Sequence, residues 1–342
     1  MNMHVRPAIV RQWNIYFLAA LVLSCIVLLS LNPTASGQQG ATTTGAADRS
    51  ALSSPEVYRS NAVILVHSDL VLIPVTVTDH SGKAVTGLEK QHFTLFEDAA
   101  QQDIIHFAAE DAPASIGIVL DTSGSMRPKI SKAREAVNTL LNNANPNDEF
   151  FLVRFSSEAR LLVPTTQHPE DIRNQMGALH TSGTTALLDA VHVAISEMEH
   201  AHNSRKAIVI VSDGEDNSSS WTVGELRRAV REHEIVIYAI GIPTAPGERS
   251  ECPPGQRCGS ALLRDIARQT GGRLFEVNKV EQLPVIADTI GGWLRHQYVL
   301  GYVPSHSVKD GTYRKIELKV DRPKGYPRMN AVWRQGYYAP KE

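Results

Sequence analysis

Asp121, Ser123 and Ser125 stand in the pattern Asp-x-Ser-x-Ser, directly after the apolar run Ile116-Gly117-Ile118-Val119-Leu120. One carboxylate and two hydroxyls on one short turn form a set of hard oxygen donors. Such donors suit Mg²⁺, Mn²⁺ or Ca²⁺. Asp, Ser and Gly are also ordinary turn residues, so the pattern alone reads as well as a plain turn at Gly124. A second oxygen cluster is Thr181-Ser182-Gly183-Thr184-Thr185, just before Ala186-Leu187-Leu188-Asp189. A third is Ser212-Asp213-Gly214, at the end of the apolar run 207–211. Taken singly, the second is a helix N-cap and the third a turn. Taken together they place an Asp at the end of each of two buried strands, with a hydroxyl loop between them in sequence.

Such an arrangement needs one sheet to hold it. From residue 115 the periodicity alternates between strand and helix. Strands are expected at 115–120, 149–155, 206–212, 235–242 and 273–277, with an edge strand at 161–164. Helices are expected at 129–143, where Ile130, Ala133, Val137, Leu140 and Leu141 form one stripe, and at 169–179, 186–200, 222–233, 260–269 and 280–297. Pro169 suits a first helical turn, and Gly271-Gly272 suits a helix stop. This alternation predicts an α/β fold with a doubly wound, mostly parallel sheet. Open sheets of that kind bind ligands at the carboxyl ends of their strands.

The flanks have a period of two. Val71, Ile73, Val75 and Val77 alternate within 69–79, where Pro74 marks an edge strand or a bulge. Strands follow at 93–98 and 104–107, and again at 298–303 and 312–320, where Ile316, Leu318 and Val320 share a face. The division expected is 1–37 leader, 38–57 flexible linker, 58–112 N-terminal β segment, 113–297 α/β domain and 298–342 C-terminal β segment. The two β segments are expected to pack together as small β-sandwich-like flanks, with the α/β domain inserted between them.

Arg6 and Arg11 precede an apolar run of about 17 residues (15–31), and Ala35-Ser36-Gly37 resembles a cleavage site. This leader predicts export to the periplasm, cell envelope or medium, as a cleaved signal peptide or a retained anchor. The formal net charge is −2, and without 1–37, which holds Arg6 and Arg11 and no acid, it is about −4. A chain with no basic excess is not read as a nucleic-acid binder. Beyond the leader only Cys252 and Cys258 remain, a pair expected to form a disulfide in an exported protein.

The three oxygen clusters, in this order on this alternation, resemble the von Willebrand factor type A (VWA) domain family with its metal-ion-dependent adhesion site. The resemblance covers 113–297, and the flanks resemble exported bacterial VWA-related proteins. Asp121-x-Ser123-x-Ser125 matches the first family motif, Gly183-Thr184-Thr185 the second and Asp213-Gly214 the third. The loop departs from the family in reading Ser182-Gly183-Thr184-Thr185 where Gly-Gly-Thr is usual. Counting back from Asp189 assigns the ligand to Thr185, with Thr184 as the alternative. The resemblance implies Ser123, Ser125 and Thr185 as direct ligands of Mg²⁺ (or Mn²⁺ or Ca²⁺), with Asp121 and Asp213 acting largely through water. It implies a non-enzymatic module in which an Asp or Glu carboxylate of a protein partner completes the metal shell.

Two other readings compete. One is a structural VWA subunit of a cell-envelope complex, without metal-dependent binding. The other is a metal-assisted hydrolase, for which the sequence names no general base and carries no G-x-S-x-G, P-loop or H-E-x-x-H motif. His200 and His202 read as a solvated helix end rather than metal ligands, and Glu215 and Asp216 as solvating residues of their loop.

Overall fold

The structure, a computed structural model, describes residues 70–109, 111–242, 259–305 and 308–341. The expected leader and linker and the Cys252–Cys258 pair lie outside these residues. Among the described residues no helix is long and apolar enough to cross a membrane.

The chain enters through β1 (Val71–Asp79), β2 (Phe93–Glu97), β3 (Ala100–Gln102) and β4 (His106–Ala108). The α/β portion follows: β5 (Ala114–Asp121), α1 (Ile130–Asn142), β6 (Glu149–Phe155), β7 (Ala159–Thr166), α2 (Pro169–Gly177), α3 (Leu187–Met198) and β8 (Arg205–Ser212). It continues through α4 (Val223–Glu232), β9 (Val236–Gly241), α5 (Ser260–Gln269), β10 (Leu274–Glu276) and α6 (Leu283–Arg295). The chain closes with β11 (Tyr298–Tyr302), β12 (Tyr313–Val320), β13 (Met329–Trp333) and β14 (Gly336–Tyr338).

The central sheet has six strands in the order β10-β9-β8-β5-β6-β7. All pairs are parallel except β6 with the edge strand β7. Every residue of β5 is buried, as its unbroken apolar run requires of a strand covered on both faces. Helices α1, α2 and α6 pack on one face, and α3, α4 and α5 on the other. Gly117 sits mid-strand because a Cβ there would lie 2.1 Å from Phe151 Cζ on β6. The strand order reverses at β5: β6 follows on one side, while β8 lies on the other. In open α/β sheets the carboxyl ends of the strands at such a switch point are where ligands bind.

The terminal strands form two four-stranded sheets, β13-β1-β11-β4 and β14-β12-β2-β3. Each mixes strands from both ends of the chain: β1 pairs with β11 and β13, and β2 with β12. Ile73, Val75, Val77, Leu95, Leu300, Ile316 and Leu318 are among the residues filling the space between them. β1 is a central strand, not the edge strand that Pro74 suggested. Its partners are offset: β11 pairs with 71–75 and β13 with 75–79. Pro74 falls in the half with a neighbour on one side only, so the sheet absorbs its missing N–H. Trp293 of α6 donates from Nε1 to Gly82 O at 2.8 Å, tying the central domain to the turn after β1.

Candidate functional site: an oxygen cluster at the switch point

Three loops meet above β5 and β8. The turn after β5 starts with Thr122, whose N–H and hydroxyl both reach Phe155 O, at 2.7 and 2.8 Å. Gly124 N–H donates to Gly183 O at 3.0 Å, and Ser182 N–H to Thr122 O at 2.9 Å, so the second loop is laced to the first. Asn217 joins the third: its Oδ1 accepts Thr185 N–H at 2.8 Å, and its N–H donates to Thr185 O at 2.9 Å. Gly183 and Gly214 both have positive φ, 81° and 83°. A Cβ on Gly214 would meet Gly259 O at 2.5 Å, so the close approach of the third loop to the start of α5 requires glycine there.

Four of the five expected residues form one continuous chain of polar contacts. Asp121 is buried; its Oδ1 accepts Ser123 N–H at 2.8 Å and its Oδ2 accepts the Ser212 hydroxyl at 2.6 Å. The Ser123 and Ser125 hydroxyls lie 3.1 Å apart. Ser125 Oγ donates to Asp213 Oδ2 at 2.6 Å. Thr185, the fifth, is buried on the adjacent loop, and among the described residues its hydroxyl makes no hydrogen bond to the other four. Thr184, the alternative, is exposed, and its hydroxyl accepts one from Ser218 at 2.5 Å. Gly124 is exposed and Ser125 half-buried, so the cluster reaches solvent on that side.

Burial pushes the Asp121 carboxyl up to about 6. Hydrogen bonds from Ser123 and Ser212 oppose that rise, and the neighbouring Asp213 charge adds to it. Two neighbouring carboxylates with buried side chains concentrate negative charge that a cation relieves.

Sequence reasoning gave three residues a lesser role than they hold: Ser212 as part of the third cluster's turn, Lys129 as the start of a helix and Asp216 as a solvating loop residue. Ser212 ends β8 as an unremarkable polar residue, yet its hydroxyl holds Asp121 and accepts Gly214 N–H at 2.9 Å. Lys129 precedes α1, where a solvated lysine is common, yet it is buried with Nζ 3.6 Å from Asp213 Oδ2. Asp216 is not merely a solvating residue. Its Oδ1 accepts Leu187 N–H at 2.9 Å, a more distant Leu188 N–H at 3.4 Å and the Ser219 hydroxyl at 2.5 Å, capping α3 from another loop. No signal short of the three-dimensional loop contacts marks it, because its helix lies about 30 residues upstream. His202 belongs elsewhere: its Nδ1 lies 2.9 Å from Glu149 Oε1 at the start of β6, at the opposite end of the strands from the cluster. Among the described residues neither Ser123 nor Ser125 has an imidazole among its hydrogen-bond partners. Among the described residues no group of three or more His, Cys, Asp or Glu side chains is placed to hold a metal, so any ion here would depend on hydroxyls.

The fold is a doubly wound α/β domain that carries an oxygen cluster at its switch point. Residues 116–215 match the sequence profile of the von Willebrand factor type A domain, and this segment of the chain is such a domain. Domains of this class generally mediate protein interactions. The chain is 29% identical over 238 residues to inter-alpha-trypsin inhibitor heavy chain H4 of Sus scrofa, covering 63% of this chain and 24% of that one. It is 33% identical over 202 residues to the Bos taurus protein of the same name, covering 50% and 20%. The chain thus spans about a quarter or less of the length of these curated relatives. Among solved structures it is similar to a von Willebrand factor type A protein from Catenulispora acidiphila, with a TM-score of 0.46 and 14% identity over 80% of this chain and 74% of that one.

Proposed function

We propose that the chain is an exported, non-enzymatic binding module that engages a protein partner through a divalent cation. The observation that carries this reading is the chain of contacts from Asp121 through Ser123 and Ser125 to Asp213. It gathers hard oxygens, two of them neutral hydroxyls, in a buried cluster that reaches solvent at Ser125. This donor chemistry fits Mg²⁺, with Mn²⁺ or Ca²⁺ as substitutes. Ser123, Ser125 and Thr185 would hold the ion directly, and Asp121 and Asp213 would orient its waters. Neutral ligands leave the ion electrophilic, so a partner's Asp or Glu carboxylate is the chemistry it would attract. Export rests on Arg6, Arg11 and the apolar run that follows them. We further propose the division into a leader (1–37), a linker (38–57), a β unit built from 58–112 and 298–342, and a VWA domain (113–297) inserted in it.

The test is calorimetric titration of Mg²⁺ and Mn²⁺ into the full-length protein in mild detergent, beside Asp121→Ala. Binding by the wild type and its loss in the variant are expected, followed by metal-dependent capture of an envelope protein that chelator releases. A wild type that binds neither ion sinks the reading. One observation favours a metal-independent structural module instead: the site already holds a buried ammonium, that of Lys129. On that reading, partner capture would persist in chelator.

A further inference from the structure

Lys129 is an unusual neighbour for a cation site. Its backbone is pinned at the foot of α1, with its N–H on Met126 O at 2.9 Å and its carbonyl accepting Ala133 N–H at 3.0 Å. From there the side chain runs inward, only 9% exposed, and among the described residues Nζ has no hydrogen-bond partner. The carboxylate oxygen beside it, Asp213 Oδ2 at 3.6 Å, is in ion-pair range but beyond a hydrogen bond. That oxygen already accepts the Ser125 hydroxyl at 2.6 Å. Burying an ammonium without hydrogen bonds is costly, and here the return is charge neutralisation of the Asp213 and Asp121 pair.

We infer that the Lys129 ammonium is the resident cation of the metal-free site and that it sets how tightly a divalent ion is held. The inference rests on the metal-binding reading above. An ion held by the Ser123 and Ser125 hydroxyls would draw on the same Asp213 oxygen that faces Nζ. The two positive charges therefore compete for one carboxylate, and in a buried setting their repulsion is weakly screened. Lys129 thereby stabilises the site while no metal is bound, and raises the metal concentration at which the ion enters. Metal-dependent binding would then respond over a higher range of metal concentration.

Lys129→Met tests this, because methionine keeps most of the apolar stem and removes the charge. In full-length protein, Mn²⁺ is expected to bind Lys129→Met about tenfold tighter or more. Without metal, the variant is expected to melt below the wild type and to regain that loss on Mn²⁺ addition. Lys129→Gln, as a second neutral variant, is expected to behave alike. Folded variants that bind Mn²⁺ no tighter than wild type overturn the inference while leaving the metal site standing. If no protein binds Mn²⁺, the metal reading itself falls. The inference is then decided by metal-free melting of Lys129→Met, Asp213→Asn and the double variant. Losses that simply add would overturn the resident-cation role, and a double variant more stable than their sum predicts would sustain it.

Discussion

The Ser212 hydroxyl donates a 2.6 Å hydrogen bond to Asp121 Oδ2, joining the end of β8 to the end of β5. It is a strand-to-strand clamp on a carboxylate whose other oxygen is taken by Ser123 N–H. Ser212→Ala removes a charge-assisted donor from a buried acceptor. The expected cost is about 1–3 kcal/mol in urea denaturation. Metal affinity should fall as well, because Asp121 loses the group that fixes its rotamer. An unchanged denaturation midpoint together with unchanged Mn²⁺ affinity would show the clamp to be incidental.

The buried Asp121 carboxyl gives the metal-free protein a defined pH dependence. Its ordinary value is 3.8 and burial pushes it up to about 6. The folded state therefore holds this proton more tightly than the unfolded chain. The stability it contributes is fully present below the ordinary value and is lost as pH rises through the folded one. In chelator, the wild type is expected to lose stability between pH 4 and pH 7, by at most about 1.4 kcal/mol per unit. Asp121→Asn should lack that component. The comparison of wild type and variant by thermal melting across this range isolates it, and parallel curves for the two proteins would contradict the assignment.

Asp216 caps α3 across a gap in sequence, accepting Leu187 N–H and the Ser219 hydroxyl. Asp216→Ala leaves these donors without their acceptor at the start of a buried helix. The expected loss is about 1–2 kcal/mol. The same change frees the loop whose Asn217 grips Thr185, so weaker Mn²⁺ binding is expected alongside. Asp216→Asn keeps an acceptor oxygen and should recover most of the stability. If Asn and Ala behave identically, the cap is not what Asp216 provides.

The same residues show how far the sequence could be read. β5 was visible because a strand covered on both faces must be apolar throughout, and Asp121 because a carboxylate ends that run. Helix α1 was visible as a single apolar stripe, and the end of α5 by the Gly271-Gly272 stop that follows it. The pairing of terminal strands could be expected from unspent apolar faces such as Ile316 and Leu318, but not the registry that makes β1 central in spite of Pro74. The hairpin between β2 and β3 turns on Asp98 and Ala99, both at positive φ (46° and 70°), a turn ordinarily signalled by Asn or Gly. Ser212, Lys129 and Asp216 stayed hidden for one reason. Each acts on a residue of another element, and no local pattern records a contact across loops.

Arg205 joins the central sheet to the β unit. It is buried at the start of β8, and its guanidinium donates to Leu294 O at 3.4 Å, Arg295 O at 3.1 Å and Gln297 O at 3.1 Å. Those carbonyls end α6 and lead directly into β11, which lies between β1 and β4. A cation on helix-terminal carbonyls is favourable, and here it also fixes the direction in which the chain leaves the α/β layer. Arg205→Ala would strand buried carbonyls on the link between the two parts. The expected loss is about 2–4 kcal/mol, with central sheet and β unit still melting in one calorimetric transition in the wild type. In Arg205→Ala the transition should broaden or split, as β8 loses its hold on the link from α6 to β11. A wild type that already melts in two separate steps would mean that this link does not couple them.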